Sequence, residues 1–227
     1  NLNSGAIYVG HGSSPVAIDW DDDGDYDLIV GDVEGKLFYY ENDGSDGFTE
    51  TTSFGSIDVG GYSKPAIADW DSDGDFDLLI GESDGSLNYY ENDGSDSFTE
   101  TKDFGSIDVG SHSSPAIVDW DDDGDYDLFV GNSDGKLNYY ENDGSDSFTE
   151  TTGYNSIDPG SYSAPVIVDW DSDGDYDIFV GSNTGKLHYY ENDGSNSFTK
   201  TTSFGSIDVG KNSMPTIVDW DGDGYYD

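Results

Sequence analysis

Five tryptophans, Trp20, Trp70, Trp120, Trp170 and Trp220, stand at an unvarying spacing of 50 residues. Five prolines, Pro15, Pro65, Pro115, Pro165 and Pro215, keep the same interval. The residues between them repeat as well. Residues 1–50 align without gaps to 51–100, 101–150 and 151–200, and a partial fifth copy occupies 201–227. A period of this length means that one supersecondary unit stacks on copies of itself, each burying its apolar face against a neighbour. The chain, 1–227, therefore reads as a single repeat array.

Within the third unit, Pro115–Trp120 (PAIVDW), Tyr126–Gly131 (YDLFVG) and Lys136–Glu141 (KLNYYE) read as strands, with an outer strand of the type Phe98–Phe104 (FTETKDF). Each is rich in β-branched and aromatic residues and bounded by Gly, Asn, Asp or Ser. The stretches NSDGK (132–136) and ENDGS (141–145) carry hairpin-turn chemistry. No segment has a 3.6-residue apolar period, so no helix is expected. Four antiparallel strands in about 50 residues predict an all-β fold, a β-propeller of four-stranded blades. A parallel β-helix fits less well, because its coils are shorter and its strands do not come as hairpins. Residues 1–10 match the outer-strand region, while 211–227 supply only a first strand and an acidic loop. Pooled, they lack the two middle strands of a blade. Either the chain is a window on a longer protein, or a neighbouring copy completes the fifth blade in a head-to-tail, filament-forming contact.

Fifty Asp and Glu against seven Lys and no Arg give a formal net charge of −43. Charge of that size alone suggests disorder, but aromatic residues make up 15% of the chain and fall in strand-like runs. The charge excludes nucleic acid and anionic membranes as electrostatic partners and favours cations or a salty medium. There is no apolar run near the length of a membrane span. With no cysteine, disulfides and thiolate metal sites are ruled out.

The acid is concentrated in one loop. DWDDDGDYD (19–27) returns as DWDSDGDFD (69–77), DWDDDGDYD (119–127), DWDSDGDYD (169–177) and DWDGDGYYD (219–227). Numbered from the first Asp, positions 1, 3, 5 and 9 are Asp in every copy and position 6 is Gly. Carboxylates at 1, 3 and 5 converge inside a curled loop, and glycine permits the sharp turn. Hard oxygen donors in that number suit calcium better than magnesium, which prefers a tighter octahedron. Position 4 varies as Asp22, Ser72, Asp122, Ser172 and Gly222, so its side chain is expected to face solvent. Position 7 is Asp25, Asp75, Asp125 and Asp175 but Tyr225 in the last copy. A backbone carbonyl is indifferent to that change, which assigns position 7 a carbonyl role. An EF-hand would carry Glu at position 12 between helices; here Val30, Ile80, Val130 and Val180 stand there, between strands.

The pattern DxDxDGxxD between strands, followed by DLIVG, DLLIG, DLFVG or DIFVG, resembles the FG-GAP/VCBS repeat family of calcium-binding β-propellers. The resemblance covers essentially the whole chain. It implies one calcium ion per repeat, up to five. The side-chain ligands would be Asp19, Asp21, Asp23 and Asp27; Asp69, Asp71, Asp73 and Asp77; Asp119, Asp121, Asp123 and Asp127; Asp169, Asp171, Asp173 and Asp177; and Asp219, Asp221, Asp223 and Asp227. The carbonyls of Asp25, Asp75, Asp125, Asp175 and Tyr225 would complete the sites.

Two aromatic features have competing readings. The loop tryptophan packs between blades or offers a stacking platform for sugar rings. In the pairs Tyr39–Tyr40, Tyr89–Tyr90, Tyr139–Tyr140 and Tyr189–Tyr190, successive side chains face opposite sides of the strand. The face of Tyr40, Tyr90, Tyr140 and Tyr190 shares its side with the variable Phe38, Asn88, Asn138 and His188. It is therefore expected to be exposed, as a solvated face or a glycan contact. ENDGS reads as a hairpin turn, and His11, His112 and His188 occupy different repeat positions. No Ser–His pairing stands in register and no repeat stands apart, so catalysis is not expected. The sequence points to a non-catalytic, extracellular or cell-surface module for adhesion, recognition or scaffolding, whose partners are calcium and then glycans, surface proteins or copies of itself. A lectin and a filament subunit are the alternatives, and part of a secreted enzyme is the last of them.

Overall fold

In the computed structural model, residues 7, 9–45, 47–52, 54–101, 104, 107–151, 154, 157–195 and 197–227 are described. Sixteen strands form four antiparallel sheets of four, arranged in a ring as a four-bladed β-propeller. The first blade is β1 (Ser14–Ile18), β2 (Asp27–Gly31), β3 (Leu37–Asn42) and β4 (Phe48–Thr51). The second is β5 (Lys64–Ala68), β6 (Asp77–Gly81), β7 (Leu87–Asn92) and β8 (Phe98–Thr101). The third is β9 (Ser114–Val118), β10 (Asp127–Gly131), β11 (Leu137–Asn142) and β12 (Phe148–Thr151). The fourth is β13 (Ala164–Val168), β14 (Asp177–Gly181), β15 (Leu187–Asn192) and β16 (Phe198–Thr201). Register repeats with the sequence: Ser14 opposes Gly31, Gly31 opposes Leu37, and Asn42 opposes Phe48. No α-helix forms among the described residues, and none is long and apolar enough to cross a membrane.

The strands lie within a residue or two of expectation, with instructive exceptions. Asp119 and Trp120 leave the first strand, because the Asp119 carboxylate folds back onto the loop amides of Asp123 and Gly124. The outer strand stops at Thr101, and Lys102 and Asp103 of its expected extension lie outside the described residues, as do 1–6 and 8 of the N-terminal segment.

The core sits between blades. Ile29, Leu37 and Tyr39 of the first blade pack against Leu78, Ile80 and Tyr90 of the second, with Phe54 and Ile57 from the connecting segment. The same set recurs between the second and third blades and between the third and fourth. Each blade is thus dry on both faces, which overturns the expected exposure of Tyr40, Tyr90, Tyr140 and Tyr190: they are only 3–8% exposed. The alternation that separates two tyrosines assigns them to two neighbouring blades rather than to core and water.

A serine clasps each blade to the one before. Ser163 accepts from the Asn132 amide at 2.9 Å and donates to the Lys136 carbonyl at 2.7 Å, and Ser63, Ser113 and Ser213 repeat the bonds. The clasp brings the Ser163 carbonyl against Gly131, whose hydrogen is all that fits there. This is why each second strand ends in glycine.

The fifth repeat forms no paired strand, yet it takes its place beside the ring. Residues 214–217 line the central channel together with β1, β5, β9 and β13. The Ala17 amide donates to Thr216 Oγ1 at 3.3 Å, and Trp220 stacks on Tyr26 of the first blade, 6.0 Å between centroids.

Gly131→Ala forces its new methyl into the Ser163 backbone, so we expect a loss of about 3 kcal/mol or more in urea unfolding. Ser163→Ala keeps the backbone approach and should cost less, about 1–3 kcal/mol.

Candidate metal centres at the loop mouth

Each first strand runs from one end of the channel to the acidic loop at the other, so the five loops ring a single mouth. Inside a loop the backbone is shaped by its own carboxylates. Asp19 accepts from the amides of Asp23 (3.1 Å) and Gly24 (3.0 Å), and Asp23 accepts from that of Asp25 (3.0 Å). Loops 119–127, 169–177 and 219–227 repeat this pattern. Gly24 takes a φ of 96°, and Asp22 at position 4 a left-handed 59°. Gly222 at that position is therefore a conformational signal as well as a solvent-facing one.

The side chains so positioned converge. Oxygens of Asp19, Asp21 and Asp23 lie within 4.8 Å of one another, as do those of Asp69, Asp71 and Asp73, of Asp119, Asp121 and Asp123, and of Asp169, Asp171 and Asp173. The fifth set is Asp219, Asp221 and Asp227. Three carboxylates at that separation repel one another unless a cation lies among them. In the second loop the Asp73 amide turns to Asp71 instead of Asp69, leaving Asp69 Oδ1 buried with no hydrogen-bond partner. A buried carboxylate oxygen without a donor, beside two more carboxylates, fits a hard divalent cation such as calcium.

Position 9 behaves differently from positions 1, 3 and 5. Asp27, Asp77, Asp127 and Asp177 are buried at 0–2% exposure, where the second strand begins. Asp127 Oδ2 accepts from Tyr139 Oη (2.9 Å) and the Trp120 amide (3.2 Å), and Oδ1 from the Asn142 amide (2.8 Å). Burial pushes this carboxyl above the usual range, against the pull of those three donors, and the nearby Asp121 charge pushes it further. In four loops the ninth Asp is thus a hydrogen-bond hub outside the convergent trio. In the fifth, Asp227 joins Asp219 and Asp221. The side chains of Asp25, Asp75, Asp125 and Asp175 point instead at Gly44, Gly94, Gly144 and Gly194 of the adjacent turn.

The tryptophans bridge blades. Trp20 contacts Tyr39 and Phe54 beside its own blade and Phe76 and Phe98 of the next. Its indole N–H donates to Asp96 at 3.0 Å, as Trp70 does to Asp146 at 2.9 Å. Between the first two blades lies a groove of 940 Å3, lined by Trp20, Asp21, Thr51, Phe76 and Asp96 among others. Thr51 Oγ1 is buried without a partner. Sequence reasoning had no signal for this groove, because it arises from the angle between blades.

A family model described as an FG-GAP-like repeat matches residues 19–80, 69–130, 119–180 and 169–227. No curated protein matches the chain. Among solved structures, the chain is similar to that of an Agrocybe aegerita lectin that specifically recognises non-reducing terminal N-acetylglucosamine. The two are 18% identical with a TM-score of 0.50, over 82% of this chain and 51% of the lectin. The chain thus spans about half the length of that structure, and the likeness is one of fold.

Asp127→Ala strands three donors, so we expect it to cost about 3–5 kcal/mol in urea unfolding even in EDTA, where no ion contributes. Asp121→Asn should be destabilising only in calcium. In EDTA it relieves repulsion on Asp127 and should be neutral or slightly stabilising.

Proposed function

The chain belongs to the FG-GAP-like repeat family, and from that premise we propose that it is a calcium-loaded, non-catalytic recognition or scaffolding module that works outside the cell. The observation that carries this reading is the trio of converging carboxylates in each of five loops, with Asp69 Oδ1 buried and unpartnered in one of them. Asp19, Asp21 and Asp23 and their counterparts would hold the ion by side chain. Asp227 would do so in the fifth loop, and the remaining lone pair on Asp27 Oδ1 is available to an ion in the others. When bound, calcium supplies charge neutralisation that the loop cannot make for itself. The backbone amides of positions 5, 6 and 7 already hold the carboxylates in a curled loop, so little ordering is left for the ion to impose. The non-catalytic reading is supported by the commitment of these acids to loop hydrogen bonds and to one another, which leaves them poorly placed as an acid–base pair. The extracellular part of the reading rests on the expectation that loops of modest affinity fill where calcium is abundant.

Because an unfolded chain has no preformed site, calcium binding adds to folding stability. At tenfold excess over Kd each site contributes about 1.4 kcal/mol. Five such sites should raise Tm on the order of 15 °C above that in EDTA, and magnesium should recover only a small part. A Tm equal in calcium and EDTA would remove the calcium reading.

A glycan is the second reading, favoured by the groove between the first two blades. Trp20 and Phe76 line it with aromatic rings, and Thr51, Asp21 and Asp96 line it with polar groups. The lectin of similar fold recognises terminal N-acetylglucosamine. On a glycan array in calcium, this reading expects retention of glycans ending in that sugar and its loss in EDTA. No retention of any glycan would eliminate it.

A further inference from the structure

The central channel is the part of this acidic molecule without acid. Residues 14–17, 64–67, 114–117, 164–167 and 214–217 enclose 210 Å3, on the order of seven water volumes. Their side chains are Pro, Val, Ala, Ile, Met, Ser and Thr, with one ionisable group, Lys64. It takes the place held by Ser14, Ser114, Ala164 and Met214 in the other repeats.

Lys64 is 4% exposed. It lines both the channel and a smaller cavity of 50 Å3 at the mouth opposite the loops, so it stands between the two. Its ammonium donates one long hydrogen bond, 3.4 Å to the His112 carbonyl, and forms no ion pair among the described residues. Burial alone pulls it down to about 8, with no carboxylate near enough to oppose the shift. A buried ammonium with two donors unspent is retained at a cost unless an anion meets it. Above it the His112 ring sits edge-on between Tyr62 and Tyr162, at 4.9 and 5.0 Å. His112 is itself held below its ordinary range by burial and by the Lys64 charge, so it adds no second cation near pH 7.

We propose that the channel binds a small apolar carboxylate, its head at Lys64 Nζ beneath the Tyr62–His112–Tyr162 rim and its hydrocarbon body among the prolines and aliphatic side chains below. The cation supplies the charge that 50 acids elsewhere do not. The Pro, Val, Ala and Ile side chains of the walls offer apolar contact to a short hydrocarbon chain, and the aromatic rim borders the entrance. The strands separate this mouth from the acidic loops, so the site does not rest on the calcium reading.

Met214, the one methionine of the chain, lines both cavities and is a single-signal reporter. With the full chain in calcium and a 13C-methyl methionine label, sodium hexanoate should shift the Met214 signal saturably. Chloride and hexylammonium at the same ionic strength should not. Lys64→Ser, the residue that Ser14 and Ser114 already carry in this position, should weaken hexanoate at least tenfold while Tm stays close to the parent's. Ala116→Val, matching Val16 and Val166, narrows the channel and should weaken hexanoate more than acetate. An unmoved Met214 signal, an equal response to chloride or hexylammonium, or unchanged affinity in Lys64→Ser would each overturn the proposal.

Discussion

Where the first three strands of a blade meet, one carboxylate is shut away from water and given three donors. In the third blade it is Asp127, bound by the Trp120 amide, Tyr139 Oη and the Asn142 amide. A buried charge tolerates no loss of partners, so this hub fixes the end of the loop, the start of the second strand and the register of the third. The Asn142 side chain then bonds back to the Tyr126 carbonyl at 3.1 Å, closing the turn onto the loop. Tryptophan, tyrosine and asparagine recur in the complete repeats because the same buried acid must be satisfied each time. The outward carboxylates are arranged from that fixed end, and their mutual repulsion is then a problem local to each loop.

The period of 50 residues and the strand–turn chemistry were enough to read the blades, since each strand announces itself locally. The convergence of positions 1, 3 and 5 was legible for the same reason: a loop that caps its own amides is determined by its own residues. What was not legible depended on other blades. Tyr40 and its counterparts were read as facing water because alternation ordinarily separates a dry face from a wet one; stacked blades have two dry faces. Within a blade, the burial of Asp27 was not legible either, because spacing alone does not show which acid is turned inward; the companions that bury it, Tyr39 and Asn42, lie in a different strand. The rim at Tyr62, Lys64, His112 and Tyr162 escaped notice because residues from three repeats converge only when the ring is closed.

The fifth repeat carries a closely similar loop, 219–227, with no second, third or fourth strand packed against it among the described residues. Ile207 is 44% exposed where Ile57 is 3%, and Val209 is 66% exposed where Val59 is 8%. Asp227, with no tyrosine or asparagine to bury it, turns to Asp219 and Asp221 instead. Closely similar local sequence thus gives a buried hub in one setting and a member of the converging carboxylate trio in another. Tertiary partners decide between the roles, and the loop pattern only makes both available.

The two ends of the channel differ in what the repeats preserve there. At the loop mouth the five copies are nearly the same, and their acids serve the folding of each unit. At the opposite mouth positions 12 and 14 read Gly, Tyr, His, Tyr, Asn and Ser, Lys, Ser, Ala, Met around the ring. The serine between them never changes, because it holds neighbouring blades together. A ring of identical units can present only identical sites unless some position is released from the work of closing the ring. The residues flanking the clasp serine are so released: their backbone is anchored by the clasp, and their side chains project into the channel mouth and need not match. Individual chemistry, a lone lysine under an aromatic rim, can arise there without disturbing the blades.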